Sequence, residues 1–112
     1  KNLIKVSHTK IGGSPVYYVQ GQEYKLQSLY KYLHEKEQKA YSIFKQKRVL
    51  RDKALTPVMR VALRNIKDFA RPLEVALGEE REIFWKWYMS SNADAEVIIR
   101  KLLKKSMLMF LR

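Results

Sequence analysis

The sequence predicts an α+β chain, mainly helical, with two β-hairpins and an amphipathic helix at the C-terminus. Three observations predict it. Apolar residues recur with a helical period across residues 22–33, 35–48 and 56–71. Two stretches of strand-forming residues double back at glycine, one at Gly12-Gly13 and one at Gly78. The last stretch, from about Asn92, joins a helix start signal at Ser91 to a run of aliphatic residues interleaved with lysines.

Leu3–Lys10 (LIKVSHTK) alternates in part and carries β-branched residues, which reads as a strand. Gly12-Gly13 supplies the positive φ angles of a hairpin turn. Ser14–Gln20 (SPVYYVQ) returns, and Pro15 assigns it to an edge. Tyr17 and Tyr18 then point to opposite faces, so one of them is expected at the surface. Gly21 breaks the strand. From Gln22 to Leu33, Leu26, Leu29, Tyr30 and Leu33 fall at helical spacing, with Lys25 and Lys31 on the other face. A second helix is expected from Glu35 to about Arg48. Ala40, Ile43 and Phe44 form its buried stripe, and Lys36, Lys39, Lys45, Lys47 and Arg48 make it strongly basic. Val49 and Leu50 return into the core, and Asp52 caps one short helical turn anchored by Leu55.

The chain is organised around Thr56–Arg71, TPVMRVALRNIKDFAR. Thr56 suits an N-cap and Pro57 the first helical position, where its missing N–H is harmless. At about 100° per residue, Val58, Val61, Ala62, Ile66 and Phe69 gather on one side. Arg60, Arg64, Lys67 and Arg71 gather opposite in a narrow stripe, offset only by Asp68, and Pro72 ends the helix. This is either a core helix with a solvated basic back or a helix that faces phosphates and base edges. Leu73–Leu77 (LEVAL) then reads as a strand, Gly78-Glu79-Glu80 as a tight turn, and Arg81–Met89 (REIFWKWYM) as the clearest strand of the chain. It sets Ile83, Trp85, Trp87 and Met89 on one face and Phe84, Lys86 and Tyr88 on the other, so both faces are buried or one meets a partner. Ser91, with Asp94 three residues on, starts the last helix. The organisation expected is a hairpin in 1–21, a central domain in 22–89 and a C-terminal helix in 90–112.

With 112 residues, 46% of them hydrophobic, the chain can bury a core without metal or disulfide help. It has no cysteine, which removes disulfides, thiolate metal sites and cysteine nucleophiles and fits a cytoplasmic setting. No apolar run reaches the roughly 18 residues of a membrane span. The net charge of +12 is spread over every part of the chain, as expected of a folded domain that meets a polyanion. His8 and His34 sit on different elements without a paired carboxylate, and Gly12-Gly13-Ser14 lacks the lysine and spacing of a phosphate-cradling loop. No catalytic constellation, cofactor site or metal site is expected.

The order helix, short helical turn, capped basic helix and two-stranded hairpin over Glu35–Met89 resembles a winged helix-turn-helix domain. KEQKAYSIFKQKRVLRDKALTPVMRVALRNIKDFA looks like its three helices and LEVALGEEREIFWKWYM like its wing. LIKVSHTKIGGSPVYYVQGQE looks like the wing of a preceding domain. The flavour is that of uncharacterised archaeal winged-helix nucleic-acid-binding proteins. The resemblance implies that the third helix docks in a DNA major groove, with Arg60, Arg64 and Lys67 on groove or phosphate and Arg71 at the helix exit. The second wing disagrees, since Glu74, Glu79, Glu80 and Glu82 would repel phosphates. The leading hairpin, with Lys1, Lys5 and Lys10 and no acid, is the better phosphate wing.

Two nucleic-acid partners are therefore weighed. One is duplex DNA, read by a winged-helix regulator. The other is ribosomal or other structured RNA, held by the spread of cations including Lys36, Lys39, Lys45, Lys47 and Arg48, with Tyr17, Tyr32 and Tyr88 available to stack. A third reading is a protein-interaction module in which Trp85, Trp87 and Met107–Leu111 form the adhesive surface. For the last helix, a homodimer seam through Leu103, Met107 and Phe110 stands beside simple packing on its own domain.

Overall fold

In the computed structural model, which describes residues 3–110 and the side chains of 3–105, five strands and three α-helices alternate with two 3-10 segments. The order is β1 (Ile4–Ile11), β2 (Ser14–Val19), a 3-10 helix (Glu23–Tyr32), α1 (Glu35–Lys47), β3 (Val49–Arg51), a 3-10 turn (Asp52–Ala54), α2 (Pro57–Asn65), β4 (Ala70–Leu77), β5 (Glu80–Trp87) and α3 (Asn92–Phe110). β1 and β2 form one antiparallel sheet, and the other is ordered β3-β5-β4. The protein is α+β with two small sheets, and the expectation of a mainly helical winged-helix domain is corrected. The element that would be the second helix completes a single turn, and the middle helix gives way to a strand inside the stretch read as helical.

The middle helix shows why. Thr56 caps it as expected, its hydroxyl accepting the Met59 amide at 3.3 Å, and Pro57 occupies the first turn. The helix ends at Asn65 because the chain has better uses for the next residues. Ile66 and Phe69 are fully buried, and Phe69 meets Tyr41 edge-on at 4.9 Å and stacks near Trp87 at 6.2 Å. The Asp68 side chain leaves for another element. Lys67 thus lies in a turn and Arg71 on β4, not on a helix. The buried side of α2 is also rotated from expectation. Ala62 and Leu63 are in the core, whereas Val58 and Val61 are 56% and 59% exposed.

β5 is the central strand of its sheet and is buried on both sides. One side, with Trp85, Trp87 and Leu50, packs against Leu26, Leu29 and Leu33 of the 3-10 helix, Ala40, Tyr41 and Phe44 of α1, and Leu63 of α2. The other, with Phe84 and Val49, receives Ala95 and Ile99 of α3. Trp85 and Trp87, expected as a partner surface, are 6% and 4% exposed and belong to the core. Trp87 alone meets Tyr41, Phe44 and Tyr88 at 5.0–5.4 Å between ring centres. Tyr88 packs against this group and is half-buried, not a stacking platform, and Ile43 faces outward from α1. Leu103 is half-buried against the α3 side of the sheet. The side chains of Met107 and Phe110 lie outside the described residues.

Leu26 and Leu29 are buried as the spacing required, but the segment winds as a 3-10 helix, in which side chains three apart eclipse. Ser91 caps α3, its hydroxyl accepting the Asp94 amide at 3.1 Å. Among the described residues, no helix is long and apolar enough to cross a membrane.

Candidate nucleic-acid interface

The basic residues of α2 do not form one outward line. Arg60 donates through Nε to the Asp52 carbonyl at 2.9 Å and through Nη2 to the Lys53 carbonyl at 3.1 Å. Arg64 lies 3.3 Å from the Asp52 carboxylate, donates to the Arg60 carbonyl, and rests over the Trp85 ring at 5.4 Å. The same carboxylate accepts the Trp85 indole N–H at 2.9 Å. Burial would raise the Asp52 carboxyl, but these hydrogen bonds and the two guanidinium charges outweigh it and hold the group below its ordinary 3.8. Asp52, expected only to cap a turn, is the hub that draws both arginines back onto the protein. What α2 turns outward instead is Val58 and Val61, with Pro57 and the N-terminal turn of α1 completing an open apolar groove.

Asp68, the expected counter-charge to the stripe, is 2% exposed and points away from it. Its two carboxylate oxygens accept the backbone N–H groups of His8 and Thr9, both at 2.8 Å. Those amides are available because β1 bulges between Val6 and Lys10. Ser7 braces the bulge, donating to the Thr9 carbonyl at 2.6 Å and accepting the Val16 amide at 2.9 Å. The joint brings His8 across to Arg64, Lys67 and Arg71, and these four line an open cleft of about 560 Å³ floored by Pro72 and Trp85. Lys67 and Arg71 make no ion pair with any carboxylate among the described residues.

On α1, Lys36, Lys39, Lys45, Lys47 and Arg48 are all exposed and unpaired among the described residues. Helical geometry sets Lys36, Lys39 and Lys47 along one line with Ile43, and Lys45 round the back. Lys5 and Lys10 are exposed on β1, Lys1 lies outside the described residues, and Tyr17 on β2 is 68% exposed. The carboxylates of the second hairpin are partly spent on cations of the same sheet. Glu82 is buried and takes Arg51 in a two-pronged pair at 2.6 and 2.7 Å, and Glu74 pairs with Arg81. Only Glu79 and Glu80 remain outward at its tip.

Cations are thus set out on several separate elements, and Arg64, Lys67 and Arg71 line one cleft. No family model, curated protein or solved structure matches this chain. The structure brings Arg64, Lys67 and Arg71 together with His8, and leaves the α1 lysines on a separate face. Sequence reasoning missed Lys86, which stands directly opposite Arg71 across β4 and β5. The alternation of REIFWKWYM placed Lys86 on a strand face, but only the register of the two strands gives its partner. It also missed Asp52 and Asp68 as organisers, since their partners lie up to 33 and 60 residues away.

Proposed function

We propose that this chain is a non-enzymatic protein that binds structured RNA, of the kind found with ribosomes, by gripping phosphates with cations spread over several elements. The observation that carries this is the state of α2. Its arginines are turned back onto Asp52 and backbone carbonyls while its valines face outward, so it offers no cationic ridge to a DNA groove. The unpaired cations lie instead on β1, α1 and the turn after α2, with Tyr17 open for stacking. Broad phosphate contact of that sort suits A-form RNA, whose deep major groove side chains cannot read.

The test compares binding to ribosomal RNA and to duplex DNA over a salt series. RNA is expected to bind more tightly, with log K falling linearly in log salt. The triple change Lys36→Gln, Lys39→Gln, Lys45→Gln should weaken RNA binding by about tenfold or more and flatten that slope, whereas Arg64→Ala should change it little. Tighter duplex binding that Arg64→Ala abolishes would reverse the reading.

A further inference from the structure

Arg71 and Lys86 are direct partners in the β4–β5 register. Such partners share a face with their Cβ atoms roughly 5 Å apart, where like charges repel. Elsewhere this sheet matches its charges, Arg51 with Glu82 and Arg81 with Glu74. Here it does not. The Lys86 ammonium donates to a neutral acceptor, Asn92 Oδ1, at 2.9 Å, and the half-buried Arg71 guanidinium has no hydrogen-bond partner among the described residues. The two line an open cleft of about 520 Å³. Its one carboxylate, Glu23, spends an oxygen on the Gly21 amide at 2.7 Å and pairs with neither cation. Arg71 also lines the neighbouring cleft of His8, Arg64 and Lys67, so the two openings adjoin at this residue.

We propose that Arg71 and Lys86 form the seat of one backbone phosphodiester of the bound RNA, the anion supplying the charge that this part of the sheet lacks. The inference rests on the RNA reading above and says where the strand runs. A polyanion passing through both clefts meets Lys86, Arg71 and Lys67 in turn, and the planar guanidinium fork of Arg71 matches two phosphate oxygens. The mismatch costs the free protein stability and is relieved by the ligand.

The test therefore has two readouts, RNA affinity and the stability of the free protein, and a merely structural role would lower the second and leave the first unchanged. Arg71→Gln should weaken RNA binding about tenfold at low salt and lower the salt slope by about one. It should also raise the melting temperature of the free protein by about 2 °C at low ionic strength. Arg71→Lys should keep the slope, and Arg81→Gln, an equal loss of charge at the far end of the sheet, should change affinity less than about twofold. Inorganic pyrophosphate should stabilise the parent and not Arg71→Gln. A lower melting temperature for Arg71→Gln with RNA affinity unchanged overturns the seat and leaves the RNA reading standing. A parent that binds no RNA, yet is stabilised by pyrophosphate through Arg71, supports an anion seat and overturns the RNA reading.

Discussion

Glu82 and Arg51 are joined by two short hydrogen bonds, and the pair is expected to make the fold sensitive to acid. The Arg51 hydrogen bonds, outweighing burial, hold the Glu82 carboxyl below its ordinary 4.5, and Asp52 is likewise held below 3.8. Below those ordinary values the unfolded chain takes up protons that the folded one refuses, so stability falls as pH drops. The stabilisation is complete above about pH 4.5 and is lost as pH falls through the depressed values. Urea midpoints should be flat from neutrality to about pH 5 and then decline. Glu82→Gln, which leaves the Arg51 charge buried alone, should cost about 3 kcal/mol at pH 7 and flatten part of that acid decline.

At the level of elements, α2 separates what is legible in the sequence from what is not. Its start is local chemistry, Thr56 and Pro57, and could be read, as could the Ser91 cap and the glycine turns. Its buried face could not, because residues on two sides are apolar and periodicity does not say which pair faces in. The structure buries Leu63, outside the expected stripe, and exposes Val58 and Val61. Val61→Gln should therefore change stability by no more than about 0.5 kcal/mol, while Leu63→Ala should cost about 3 kcal/mol, both read from chemical denaturation. Its end could not be read either. Asn65 is the last helical residue because Phe69 is claimed by the aromatic group and Asp68 by amides far upstream. The candidate site was legible to the same degree. Lys67 and Arg71 are outward cations, but the trapping of Arg60 and Arg64 by Asp52 depends on how the 3-10 turn packs against α2, and the meeting of Arg71 with Lys86 depends on strand register.

Across the whole molecule, a three-stranded sheet carries a larger core on one side and α3 on the other, and the β1–β2 hairpin is attached to that body. Val16 and Tyr18 pack on the larger core, and Asp68 clasps the His8 and Thr9 amides. Replacing Asp68 with alanine should cost about 2–3 kcal/mol and open the hairpin before the body. Hydrogen exchange should then show lost protection at His8 and Thr9 with the β5 amides still protected, and equal loss everywhere would contradict it. The clasp holds main-chain groups, which every residue but proline possesses. The body is therefore indifferent to the side chains of His8 and Thr9, and a foreign hairpin that keeps the bulge, Ser7, Val16 and Tyr18 is expected to graft in place of this one. Variation at His8 is expected to change the wall of the cleft without disturbing the frame that carries it.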